Sequence, residues 1–191
     1  MNSNTTRPTN EQLEKEIQRR WLRRETFKAV WGAIRTLLIF AAAAVLLTTL
    51  LFPVLRVQKN SMNPTLKDGE VVVFITPGQI RRGDIIAFHN NNQMLIKRVI
   101  AIPGDRIELA DDGTVILNGM RLEESYITLP SRGDCTIKLP LEVPENQYFV
   151  MGDNRETSLD SRRADIGTID KSQISGKAIF RIWPLNKLGI P

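Results

Sequence analysis

Residues 36–55, TLLIFAAAAVLLTTLLFPVL, are twenty consecutive positions without a charge. As a helix at about 1.5 Å per residue they cover the ~30 Å hydrocarbon core of a bilayer. A cleaved leader has a shorter apolar region, about 7–15 residues, behind a short basic start. Here thirty-five residues precede the run. The expectation is one uncleaved transmembrane signal-anchor, with Pro53 near its far end, where a helix stops at little cost. It divides the chain into an arm, residues 1–35, and a single domain of ordinary size, residues 56–191.

Charge sets the direction of crossing. Arg19, Arg20, Arg23, Arg24, Lys28 and Arg35 precede the run, whereas only Arg56, Lys59 and Lys67 follow it closely. The positive-inside rule puts the arm in the cytoplasm and the domain on the far side. Residues 1–35 hold eight Lys and Arg against four Glu, and residues 56–191 hold eighteen basic against seventeen acidic residues. A nucleic-acid surface needs its excess charge on the folded domain, so no nucleic-acid partner is expected. The lone cysteine, Cys135, excludes an intrachain disulfide, and the lone histidine, His89, excludes a His-rich metal centre. No metal or organic cofactor is expected. Residues 1–10 read as a disordered polar tail. Residues 11–35 read as a solvated helix, with Glu11 and Lys15, and Glu16 and Arg20, four apart.

Beyond Arg56 the pattern turns to short runs rich in Val, Ile and Phe. Strands are predicted over residues 70–76, 84–89, 94–102, 148–151 and 174–183. Turn signals separate them: Pro77-Gly78, Arg82-Gly83-Asp84 and Pro103-Gly104-Asp105. Residues 106–109 and 114–117 flank a hairpin turn, and Asn118-Gly119 suits a type I′ turn into a second hairpin. A helical turn or two is expected around residues 158–164, and residues 140–145 are expected to be loop. The fold class is mainly β, preceded by one N-terminal transmembrane helix.

Asn60-Ser61-Met62-Asn63-Pro64-Thr65-Leu66 follows the apolar run closely. A serine hydroxyl is a poor nucleophile until a base takes its proton. His89 is the one histidine candidate and sits at a strand end beside a polar loop. Lys97 is the other. In a strand, Leu95, Lys97 and Val99 share a face and Ile96, Arg98 and Ile100 share the opposite one. An amine held between apolar neighbours loses pKa to burial; the same amine reaching solvent keeps its charge. Local sequence leaves both readings open.

Four segments decide between them by resemblance. Ser61-Met62-Asn63-Pro64-Thr65-Leu66, Gly83-Asp84-Ile85-Ile86-Ala87-Phe88, residues 97–105 (KRVIAIPGD) and residues 152–162 (GDNRETSLDSR) occur in that order after one signal-anchor. Together they resemble the type I signal peptidases, membrane-bound Ser/Lys proteases that remove secretory signal sequences. The resemblance runs from about residue 30 to Trp183. It implies a signal-peptidase-like β domain, with Ser61 as nucleophile and Lys97 as general base through an acyl-enzyme. It implies that Ser158 orients the lysine, and that Arg98, Asp153, Asp160 and Arg162 form a polar scaffold. Val57, Met62, Leu66 and Ile96 match the pocket lining that selects small residues at −1 and −3 of the cleavage site. The Ser61 backbone N–H is the expected oxyanion donor. Many bacterial members carry Ser or Gly two positions before the nucleophile, whereas this chain has Lys59, whose ammonium either turns to solvent or assists.

The implied partners are exported preproteins, the lipid bilayer and the secretion machinery. The implied location is a bacterial plasma membrane or a thylakoid membrane. Only fifty-four residues separate Lys97 from Gly152, so the chain resembles the compact form without a large inserted subdomain. Phe180, Ile182 and Trp183 read either as bilayer contacts or as core. Two rival readings are a self-cleaving or regulatory Ser/Lys protease, and a membrane-tethered β module that only binds exported chains.

Overall fold

The computed structural model describes residues 10–76 and 78–191. The tail over residues 1–9 and Pro77 of the Pro77-Gly78 turn lie outside them. The chain divides at Thr48 into two compact units. The first holds all but the last three residues of helix α1, Asn10–Leu51. Most of the arm and of the apolar run form one uninterrupted helix, since no proline lies between Pro8 and Pro53. Lys15 Nζ meets Glu11 at 2.9 Å, as the four-residue spacing predicts; the Glu16 side chain lies outside the described residues. Within Gln18–Leu46 an 18-residue window reaches a mean hydropathy of 2.0, and none of that window is buried in the protein. By length and composition it can cross a membrane.

Helix α1 ends ahead of Pro53, whose ring disfavours helical geometry in the residue before it. Val54 and Leu55, the last positions of the uncharged run, belong to strand β1, Val54–Arg56. The run is therefore divided between helix and sheet.

The second unit is mainly β. A seven-stranded sheet has the order β1-β2-β11-β3-β4-β9-β10 and a four-stranded sheet the order β7-β6-β5-β8. β2 is Val71–Ile75, β3 Ile85–Asn90, β4 Gln93–Ala101 and β5 Arg106–Leu109. β6 is Val115–Leu117, β7 Met120–Arg121, β8 Leu141–Glu142 and β9 Gln147–Met151. β10 is Ile169–Asp170 and β11 Ile174–Trp183. Every pairing is antiparallel. Asn118 and Gly119 have φ of 53° and 81°, the left-handed pair that a type I′ turn requires, and Leu117 pairs with Met120 across it.

One expectation is corrected. Residues 140–145 are not all loop: β8 lies within them and pairs with β5. Two residues are too few to show an alternating pattern. Around residues 158–164 the expected helical turns are single ones, from Ser158 N–H to Asn154 O at 3.1 Å, Arg163 N–H to Asp160 O at 3.0 Å and Gly167 N–H to Arg163 O at 2.8 Å. The backbone between them is held by the polar contacts described below.

One core cluster joins the two sheets. Ile100, Ala101, Phe149 and Met151 of the large sheet meet Ile107, Leu109, Val115 and Leu117 of the small one. A second packs Ile86, Phe88 and Val99 with Tyr148 and Ile169. A third gathers Val57, Met62, Leu66, Val72, Phe74, Ile85 and Ala87, and so carries the serine segment. Phe149 is fully buried in the first cluster. Phe149→Ala should cost about 3–5 kcal/mol through lost burial and a residual cavity, read as a lowered urea midpoint. A change below about 1 kcal/mol would mean that the sheets are not held together there.

Candidate active site

Ser61 lies in the loop joining β1 to β2. The loop is closed at its base by Val57 N–H to Glu70 O at 2.8 Å and Gly69 N–H to Val57 O at 3.0 Å. Met62 and Leu66 are four apart and both buried. They pull one side of the loop into the third cluster. Leu66 N–H reaches Met62 O at 2.9 Å and Asn63 N–H reaches Asn60 O at 3.1 Å, a tight turn that leaves Ser61 half-buried. The Ser61 N–H makes no hydrogen bond among the described residues.

Lys97 sits in β4, opposite Ile86 of β3, and is 3% exposed. Its Nζ lies 2.7 Å from Ser61 Oγ. Burial lowers the Lys97 amine to about 8. The Asp160 and Asp153 carboxylates oppose that shift, while the Arg162 and Lys59 cations add to it. Desolvation dominates because neither carboxylate touches the amine; each is held by a guanidinium.

Those guanidinium pairs bind the remaining site residues together. Arg98 grips Asp153 with two bonds, 2.9 and 2.7 Å, and also donates to Gly83 O at 2.9 Å and Thr65 Oγ1 at 3.3 Å. Arg162 grips Asp160 with two bonds of 2.8 Å, and its Nη1 donates to the carbonyls of Ser131, Arg132 and Arg155. Asp160 Oδ2 in turn accepts from Gly152 N–H at 2.9 Å, and Asn154 N–H donates to Ser61 O at 3.1 Å. The chain closes on the serine from both sides.

Ser158 is buried, and its Oγ has no hydrogen-bond partner among the described residues; it is not bonded to Lys97. It packs against Gly152, where an added Cβ would stand 2.2 Å from Ser158 Oγ and 2.4 Å from Ser61 O. Val57, Met62, Leu66 and Ile96 all fall in the third cluster. The first three are fully buried, and only Ile96 retains appreciable surface. Lys59 is exposed, with φ of 66° and its N–H donated to Asp68 Oδ1 at 2.8 Å. His89 is exposed at the end of β3 and is not in the site.

Two participants lay outside the sequence reading. The Arg98 guanidinium stacks 4.1 Å over the Tyr126 ring. The Tyr126 hydroxyl donates to Glu124 at 2.7 Å, and Glu124 pairs with buried Arg155. Burial first, then the Glu124 carboxylate, pushes the Tyr126 phenol up. With Arg98 counted, three buried arginines, Arg98, Arg155 and Arg162, face two buried aspartates, Asp153 and Asp160, so a further carboxylate must come from elsewhere.

The family model described as "Signal peptidase, peptidase S26" matches residues 30–183. Signal peptidase I of Bacillus licheniformis is 37% identical over 169 residues, covering 81% of this chain and 89% of that protein. Signal peptidase IB of Staphylococcus aureus is 38% identical over 151 residues, covering 69% and 78%. The crystal structure of a signal peptidase I from Enterococcus faecalis V583 is 34% identical with a TM-score of 0.42, covering 52% of this chain and 97% of that one.

Gly152→Ala should destabilise the domain by about 1–3 kcal/mol, because the methyl group has no room beside Ser158 and Ser61. Gly78→Ala, where nothing lies within 4 Å, is the control, expected within about 0.5 kcal/mol of wild type. Equal urea midpoints for the two variants would contradict the close approach.

Proposed function

Since the chain belongs to the signal peptidase family, peptidase S26, and is a serine endopeptidase that cleaves signal peptides, we propose that Ser61 and Lys97 carry out the cleavage as a nucleophile and its general base. The observation that carries this reading is the 2.7 Å separation of Lys97 Nζ and Ser61 Oγ, with the amine buried. With the amine neutral, the Ser61 hydroxyl donates to its lone pair. Attack on the scissile carbonyl moves that proton to Lys97, and the ammonium then delivers it to the departing amine as the C–N bond breaks. Lys97, neutral again, takes a proton from the water that attacks the acyl carbon and returns it to Ser61 Oγ as the acyl C–Oγ bond breaks.

A developing oxyanion is best met by donors already in place. The Ser61 N–H is free for that role, and the Lys59 N–H is not, being held by Asp68. Ser158 Oγ, buried and unbonded, is the hydroxyl left to orient the ammonium once it forms. Arg98, Asp153, Asp160 and Arg162 act as scaffold. Cleavage after small residues at −1 and −3 is assigned to the surface around Ile96, backed by Val57, Met62 and Leu66, with the substrate running as an added strand.

The same proposal covers placement: residues 1–35 as a cytoplasmic arm, residues 36–55 as the anchor region, and residues 56–191 as an extracytoplasmic catalytic domain. The membrane is the bacterial plasma membrane or a thylakoid membrane, and preproteins arrive there from the secretion machinery. Phe180, Ile182, Trp183, Leu185, Leu188 and Ile190 are exposed large apolar side chains gathered in one end of the chain. Such a patch suits contact with the bilayer interface, where tryptophan is favoured.

On a preprotein peptide, Ser61→Ala should abolish cleavage while leaving the fold intact. Lys97→Arg, which keeps the charge but cannot deprotonate, should also fold and be inactive. Activity retained by either would remove that residue from the mechanism. The wild-type kcat/KM should rise with pH along an acid limb centred at about 8, since burial holds the amine there and only its neutral form can accept a proton. The absence of an acid limb near 8 would contradict neutral Lys97 as the base.

For the membrane contact, Trp183 should be quenched by brominated lipid in vesicles holding the full chain with Trp21 and Trp31 replaced by Phe. Unquenched Trp183 fluorescence would rule the contact out.

A further inference from the structure

Glu70 is buried, 4% exposed, and neither the base, the scaffold nor the substrate pocket uses it. Leaving a carboxylate inside a protein is costly unless it is paired and hydrogen-bonded. Its partners come from the far end of the chain. Arg181 Nη1 donates to Glu70 Oε2 at 2.9 Å, and Lys187 Nζ donates to Glu70 Oε1 at 3.3 Å. Burial pushes the Glu70 carboxyl up, and the bonds from Arg181, the Lys67 backbone and Lys187 outweigh it and hold it low.

The same Arg181 Nη1 donates to Thr65 O at 3.0 Å. Thr65 stands four residues after Ser61, inside its turn. The other end of the guanidinium, Nε, donates to Lys187 O at 2.9 Å. Arg181 N–H and Gly189 N–H exchange bonds with each other's carbonyls at 2.7 and 3.3 Å. The residues after β11 thus fold back onto Arg181, through a 3-10 turn at Leu185–Lys187, and seat it. Ser61 O and Thr65 Oγ1 are held by Asn154 and Arg98 of the site itself. Thr65 O is the third anchor of the turn, and it is supplied from outside the site.

We propose that Glu70, Arg181 and Lys187 form a clamp by which the C-terminal segment, residues 181–189, positions the Ser61 turn for attack. These are positioning residues; none touches the reacting atoms. Met62 and Leu66 seat the turn in the core, Asn154 and Arg98 hold Ser61 O and Thr65 Oγ1, and Arg181 adds the hold on the Thr65 carbonyl. A displacement of Ser61 Oγ of about 1 Å costs on the order of 100-fold in rate, so the clamp acts on turnover as well as on stability. This rests on Ser61 being the nucleophile, and one of the two readouts below is independent of that.

The full chain in detergent micelles is compared with Arg181→Met by amide hydrogen exchange and by kcat and KM on a preprotein peptide. The Asn63 and Leu66 amides should exchange about 10-fold faster in the variant, with the Val99 amide in the core unchanged. The kcat should fall about 10-fold with KM within about twofold. Arg181→Lys, one point charge facing several acceptors, should be intermediate in both.

Unchanged exchange at Asn63 and Leu66 overturns the clamp whatever the activity. Faster exchange with unaltered kcat overturns its role in positioning. If Arg181→Met does not fold, Lys187→Met, at a half-exposed side chain, replaces it. It should show about a threefold change in both readouts, and no change in either overturns the proposal. If wild type exchanges as expected but does not cleave, the assignment of Ser61 and Lys97 fails while the exchange comparison still decides the clamp.

Discussion

The site depends on keeping one amine out of water without giving it a counter-ion. A buried ammonium is ordinarily rescued by a carboxylate, and two carboxylates lie near enough to Lys97 to act on it electrostatically. Neither is available to it. Asp153 is spanned by Arg98 and Asp160 by Arg162, each through two bonds. Bidentate pairing satisfies both oxygens of a carboxylate at once, so little is left for the lysine. The desolvation cost therefore falls on the charged form of Lys97, and its pKa drops toward the working range of a base.

The same pairs account for the arrangement of the chain around the site. Arg98 adjoins Lys97 in β4, and Asp153 and Asp160 lie in the irregular segment after β9, which has no ladder of its own to hold it. A buried arginine must find acceptors for several N–H groups. Arg162 finds them on the carbonyls of Ser131, Arg132 and Arg155, fixing a loop that repeats no regular pattern. Arg155 does the same through Glu124, which holds Tyr126 under Arg98. Removing one member would leave an unpaired buried charge, which is far costlier than the net worth of any one pair. The network thus secures geometry more than stability.

How much of this was legible in the sequence follows from the range of each interaction. Local signals were read well. The runs of Val, Ile and Phe mark β2, β3, β4, β9 and β11 to within a residue or two, and Asn118-Gly119 announces its hairpin. The two-residue strands β8 and β10 were not read, since their existence depends on what pairs with them. The residues of the proposed dyad could be named from family resemblance, while periodicity alone left Lys97 between burial and exposure. Glu124, Tyr126, Glu70 and Arg181 were out of reach. Each is an ordinary surface residue type whose role exists only because a partner some 28 to 116 positions away meets it. Val57, Met62 and Leu66 share a core cluster beside the serine turn, and local pattern does not distinguish lining a pocket from backing it.

The boundary between helix and sheet bears on how such a chain meets a bilayer. Because Val54 and Leu55 are committed to β1, the uncharged helical residues are 36–51, which cover about 24 Å. That is short of a hydrocarbon core of about 30 Å. On the proposed membrane reading, the deficit is met most cheaply by one further turn toward the N-terminus, residues 32–35. That turn brings Arg35 within the apolar layer's edge, where a long side chain can carry its charge back to the headgroups. It also sets Trp31, stacked on Phe27 with centroids 6.4 Å apart, at the level where aromatic rings gather. The apolar stretch of α1 begins well before residue 36, as that shift requires. The charge-free run is therefore a poor ruler for the span: what limits it at one end is a strand pairing, and at the other a cation that a membrane can accommodate.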